Sequence, residues 1–193
     1  MKKDRPGRKR VLLTGQCEYE LTGLHHLLTG MGCEVRRPAM QTAGPYDLVV
    51  VALSSVPLAG WGAYLAGVRA LHAATSAPMV VLVPERLQGL RLLRGTARIY
   101  SGRQSLAWLG NRLRSAPDDA PLPVPGGHLT RRCQQVLMSL RLAVRGSASL
   151  KAASRQDYYF RARLVEYVGV ENLHVLCVSG LISEVTGYPG APE

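Results

Sequence analysis

Apolar residues change their spacing several times along this chain, and each change marks an element. Val11-Leu12-Leu13 is a short apolar run and reads as a buried first strand. Leu21, Leu24, Leu27 and Leu28 then recur at helical spacing and predict a helix over Glu20 to Met31, ended by Gly30 and Gly32. Val35 marks a second short strand. Leu48 to Leu53 is uncharged and mostly β-branched or leucine, the pattern of a strand covered on both faces of a parallel sheet. Trp61 to Ala74 predicts a helix with Leu65, Val68 and Leu71 on one side. Met79 to Val83, between Pro78 and Pro84, predicts another buried strand. Leu87 to Leu93 predicts a short helix, Ala97 to Tyr100 a fifth strand and Leu106 to Leu113 a further helix. Strands alternating with helices predict an open, doubly wound α/β sheet of about five strands. Right-handed crossovers would gather the loops after its first, third and fifth strands at one edge.

The pattern then stops. Ala116 to Gly127 is rich in proline and glycine, has no periodicity and reads as a linker. Beyond it the periodicity is helical throughout. Leu129-Thr130 opens a helix over Arg131 to Val144, and Gly146-Ser147 breaks it. Ser149 to Ser154 is long enough for a turn or two. Asp157 to Val168 predicts a strong helix with Asp157 as N-cap and Gly169 as its stop. Leu173 to Ile182 predicts a last short helix. The organisation expected is a basic tail (1–10), an α/β domain (11–116), a linker (117–127), an all-α domain (128–186) and a tail (187–193).

Charge narrows the partner. The 193 residues carry a net charge of +11, which suits a polyanion such as nucleic acid or an anionic membrane surface. Eight Lys/Arg and one acid, Asp157, fall between Arg131 and Arg163. Cys17, Cys33, Cys133 and Cys177 form no C-x-x-C and no metal-ligand spacing, and no signal peptide follows Met1. A reduced cytoplasm is the simple expectation. Leu48 to Val68 has no charged residue and is long enough to span a bilayer. Pro57, Gly60, Gly62 and Gly67 divide it into strand, turn and helix, so no membrane partner is expected.

The chain resembles response regulators of the LuxR/NarL (FixJ) type. The resemblance rests on a βα-repeat half, a proline-rich linker and a helical module. It runs through Leu129-Thr130-Arg131-Arg132, Gln135-Val136-Leu137, Gly146-Ser147, Tyr158-Tyr159, Arg161-x-Arg163-Leu164, Gly169-Val170 and Asn172. It implies a CheY-like, flavodoxin-like receiver joined to a helix-turn-helix domain that binds double-stranded DNA. Ser147 to Gln156 is serine-rich and shorter than the second helix the family has there. A receiver also needs a carboxylate nucleophile after strand three and two acids after strand one to hold Mg²⁺ through oxygen. It needs a hydroxyl after strand four and a lysine after strand five. This chain has Ala52 at the nucleophile, Gly15 and Gln16 at the acids, Val83 or Pro84 at the hydroxyl, and Gly102 or Arg103 at the lysine. Glu18 and Glu20 lie a helix turn further on and do not replace the metal ligands. The resemblance therefore implies a pseudo-receiver, as in RcsA-like auxiliary regulators, acting as a homodimer or as a heterodimer with a related response regulator.

On this reading the helix after Asp157 enters the major groove. Tyr158, Tyr159 and Ala162 would face bases. Arg155, Arg161 and Arg163 would bind phosphates or bases, and Gln156 either; Arg131, Arg132 and Lys151 would position the backbone. The alternative places Tyr158, Phe160 and Leu164 in a core with the arginines in water. A second reading of function is a non-DNA-binding interaction protein that modulates a related response regulator. A third reading is a small-molecule site at the strand ends. Gly15 to Gly23 matches neither a P-loop nor a dinucleotide fingerprint. His25 and His26 are adjacent in a helix and share no face, and His128 and His174 lack partners in sequence. Neither an enzyme nor a cofactor is expected.

Overall fold

Leu48–Ala52 and Met79–Val83 are buried at every residue and form two of the three inner strands of the sheet. In the computed structural model, residues 8–37, 45–118, 129–146 and 154–185 are described. Five strands, β1 (Arg10–Gly15), β2 (Glu34–Arg36), β3 (Leu48–Ala52), β4 (Met79–Val83) and β5 (Arg98–Ser101), form one all-parallel sheet in the order β2-β1-β3-β4-β5. The seven α-helices among the described residues are α1 (Glu18–Gly30), α2 (Tyr64–Thr75), α3 (Leu106–Ser115), α4 (Arg131–Val144), α5 (Arg155–Val168), α6 (Leu173–Val178) and α7 (Leu181–Glu184). The uncharged run Leu48 to Val68 is divided between β3, a turn, a 3-10 turn over Trp61–Ala63 and the start of α2. Among the described residues, no helix is long and apolar enough to cross a membrane.

Alternate residues of each strand face opposite sides of a sheet, so a parallel sheet needs apolar cover on both. On one side, Val11, Leu13, Val50, Ala52, Val80 and Leu82 pack with Leu21, Leu24 and Leu28 of α1 and Leu109 and Leu113 of α3. The other side exposes Leu12, Val49, Val51, Met79, Val81 and Val83. Here α2 supplies Leu65 and Val68, but the β4–β5 crossover contains no α-helix. Leu87 to Leu93, expected as a helix, is a 3-10 turn at Glu85–Leu87 followed by turns. Leu87, Leu90, Leu92 and Leu93 are all buried. Burial of four leucines at this spacing leaves no solvent face for a helix, and the open backbone at Gly89 is packed against Gly169.

The C-terminal helices complete this second side. Leu137 and Leu140 of α4, Leu164 and Val168 of α5, Val175 and Leu176 of α6, and Leu181 and Ile182 of α7 belong to the same apolar cluster as Val49, Val51, Trp61 and Leu65. Backbone bonds seal the junction. Gly60 and Gly62 donate to the carbonyls of Val178 (3.0 Å) and Ser179 (2.7 Å), and Arg91 donates to Val168 (2.8 Å). A half-buried ion pair, Arg69 to Glu184 at 3.3 Å, joins α2 to α7. The sequence suggested an α/β domain and a separate all-α domain; the described parts of both contribute to this one cluster, while the cluster on the other side of the sheet belongs to the α/β half. The tail 1–7, most of the linker (119–128), residues 147–153 and the tail 186–193 lie outside the described residues.

The helix ends follow local chemistry. Thr130 caps α4 by accepting from the Cys133 N–H, as its sequence position suggested. The N-cap of α5 is Ser154, a correction to the expectation of Asp157. Ser154 accepts from the Asp157 N–H while the Asp157 carboxylate accepts from the Ser154 N–H, a reciprocal capping box. Asp157 is therefore the third helical residue, and Arg155 and Gln156 sit in the first turn. The single helix expected over Leu173 to Ile182 is two, α6 and α7, because Gly180 at φ 73° turns the chain between them.

Candidate functional site

Two surfaces carry the residues singled out from the sequence: the carboxyl edge of the sheet and the outer face of α5. At the first, parallel pairing sets Gly15 beside Ala52, Ala52 beside Leu82, and Val83 beside Ser101. The loops after β1, β3 and β5 converge here as the topology predicts. A side-chain carbon at Gly15 would lie 2.4 Å from the Ala52 carbonyl oxygen, and one at Gly102 would lie 1.9 Å from the Ser54 hydroxyl oxygen. The edge is closed by glycines in close apposition, with Ala52 as the last residue of β3. Among the described residues, none of the strands β1, β3, β4 and β5 ends in an Asp or Glu. Among the described residues, no group of three His, Cys, Asp or Glu side chains is arranged to hold a metal ion.

Treated with Mg²⁺ and acetyl phosphate, the protein is expected to keep its mass. An adduct found by mass spectrometry would place a phosphoryl acceptor elsewhere on the chain. Gly15→Asp should not build half of a metal site. It should lower stability by about 1–3 kcal/mol, because the new side chain meets the β3 backbone.

The second surface is built by helical spacing. α5 turns Leu164 and Val168 into the core and half-buries Phe160 and Val165. The opposite side presents Arg155, Gln156, Tyr158, Tyr159, Ala162 and Arg163 to solvent. Tyr158 is 66% exposed and Tyr159 60%, which places both outside the core. Of the alternative core set, Leu164 is buried, Phe160 is half-buried and Tyr158 is not. Arg163 reaches Glu166 one turn on, at 3.0 Å. Arg161 is half-buried rather than on the outer face, beside Cys177. Burial pushes the Cys177 thiol above its ordinary range, and the Arg161 charge opposes that shift. Arg131 and Arg132 are exposed at the start of α4, and Arg132 donates to Gln135 at 3.4 Å. Lys151 lies outside the described residues.

One residue that the sequence reading set aside occupies the sheet edge. Glu20, in the first turn of α1, reaches Ser54 and Ser55 after β3. A separation of 34 residues between Glu20 and Ser54 hid this from sequence spacing.

A parallel sheet in the order 2-1-3-4-5 is the doubly wound arrangement of CheY-like receivers. The class defined by this fold is a doubly wound, all-parallel α/β protein with the strand order that flavodoxin shares with CheY. Over 58% of its length the chain is similar to a crystal structure covered over 99% of its own length, at 19% identity and a TM-score of 0.41. That structure is the receiver domain of a sensor histidine kinase from Pseudomonas aeruginosa, with a magnesium ion coordinated in its active-site cleft. No family model matches the chain, and no curated protein does.

Proposed function

We propose that this protein is a DNA-binding transcriptional regulator of the LuxR type. Its receiver-like half takes no phosphate, and α5 is its recognition helix. The observation that carries the reading is the outer face of α5. Two exposed tyrosines lie among Arg155, Gln156 and Arg163 on a helix whose opposite side is anchored in the core. Tyrosine and glutamine can hydrogen-bond base edges, and arginine can bind both phosphates and guanine. The excess positive charge supports a polyanionic partner. The regulator would act as a dimer with itself or with a related response regulator, which sedimentation with and without duplex tests. Its place of action would be the cytoplasm.

Fluorescence anisotropy of a labelled random duplex against the full chain, across a salt series, tests DNA binding. Affinity is expected to fall steeply with salt. Arg155→Ala with Arg163→Ala should reduce the slope of log affinity against log salt by about 2, one counterion contact for each arginine. Full-chain protein is the right reagent because α4 to α7 share their core with the sheet. Lack of binding at low salt would transfer the weight to a protein that modulates a related regulator without touching DNA.

A further inference from the structure

Hydrogen bonding of the sheet continues past β3 as far as Leu53, whose N–H donates to the Leu82 carbonyl. The next two N–H groups leave the sheet and converge on one carboxylate. Glu20 Oε1 accepts from the Ser54 N–H at 3.2 Å and from the Ser54 hydroxyl at 2.6 Å. Glu20 Oε2 accepts from the Ser55 N–H at 3.1 Å. Successive backbone N–H groups beyond a strand end form a concave site of positive potential. Bonds to an ionised acceptor are about twice as strong as neutral ones. The other acid of this turn does not share the role: Glu18 pairs with Arg37. Gly102 closes the site from β5 against the Ser54 side chain.

We propose that the loop after β3 is an anion cradle filled by the protein's own Glu20 carboxylate, and that this cradle, once vacated, binds a small oxyanion. In the intact protein the carboxylate ties α1 to the β3 loop, so the carboxyl edge is held closed without any added anion. The ligand class is defined by the donors: two adjacent N–H groups and one hydroxyl suit an acceptor with two oxygens, whether a free carboxylate or inorganic phosphate.

The test uses the full chain, Glu20→Ala and Glu20→Gln. Thermal unfolding is measured in sodium acetate or sodium phosphate against sodium chloride at equal ionic strength, and the Ser54 and Ser55 amides are followed by ¹H–¹⁵N NMR. Glu20→Ala is expected to melt lower than the parent and to recover saturably with acetate or phosphate, which leave the parent unmoved. Its two amide resonances should move upfield and return as the anion binds. Glu20→Gln, which keeps the shape and loses the charge, should melt between the two. Recovery with acetate alone supports a planar carboxylate site, and recovery with both supports a general oxyanion site. Parent-like melting of Glu20→Ala, or equal response of parent and variant to the anions, overturns the proposal; so does any melting recovery that leaves the Ser54 and Ser55 resonances unmoved. Should Glu20→Ala fail to fold in chloride, recovery of folded protein in acetate or phosphate supports it, and failure in all three salts overturns it.

Discussion

Leu164→Ala is expected to lower the stability of the whole chain by about 2–5 kcal/mol, in a single unfolding transition. Leu164 is fully buried on α5, and its cluster includes Trp61, Leu65 and the β3 residues Val49 and Val51. Deleting its side chain removes packing from both halves of the protein together. The two tryptophans both lie in the α/β half, Trp61 at its junction with the C-terminal helices and Trp108 of α3 on the far side of the sheet, so intrinsic fluorescence reports on that half and its junction. Circular dichroism reports mainly on the helices, of which α4 and α5 are the longest. The two signals are expected to shift to lower denaturant together and by the same amount. Two separated transitions, with helical signal lost before the fluorescence change is complete, would mean that α4 to α7 unfold independently of the sheet.

Gly169→Ala should cost about 3 kcal/mol or more, against about 1 kcal/mol for Gly146→Ala. Both glycines follow a helix in the left-handed region, at φ 79° and 77°. Backbone strain alone would make the two substitutions equal. Their surroundings differ. Among the described residues, a side-chain carbon at Gly146 meets nothing within 4 Å, whereas one at Gly169 would lie 2.1 Å from the Gly89 carbonyl oxygen. That carbonyl belongs to the β4–β5 crossover, so relief requires α5 to move off the sheet unit. Chemical denaturation of the two variants measures the difference directly. Equal losses would mean that the approach of Gly169 to Gly89 is not present in solution.

Much of the α/β half can be read from residue pattern alone. Runs such as Leu48 to Ala52 admit little besides a strand covered on both faces, and five short strands in the expected places produced the sheet. Helix ends at Thr130 and Gly169 were legible because caps and left-handed glycines act locally. Ser154 was missed as the cap of α5 because Asp157 suits both the cap and the third position, and the reciprocal bond decides between them. The leucines at 87, 90, 92 and 93 were misread because apolar residues at nearly helical spacing say that a segment is buried, not which conformation buries it. Docking of α4 to α7 was illegible for the same reason. An apolar stripe on a helix looks alike whether it faces its own domain or a neighbouring sheet. On α5 the residues named for DNA contact are exposed, with Arg161 the exception, because they lie on the side of the helix away from Leu164 and Val168. Glu20 was invisible as a cradle ligand because its partners lie on another element.

The shared core has a consequence for synthesis. All five strands are translated before α4, yet Val49, Val51 and Val81 obtain part of their cover from helices that emerge last. A growing chain that has released its sheet strands therefore presents one oily side to water until translation has passed α7. During that interval the nascent protein is a natural client for a ribosome-associated chaperone, and an aggregation hazard without one. A premature stop codon within α5 would leave that side bare permanently, and such a product should be removed by proteolysis rather than persist as a shortened protein.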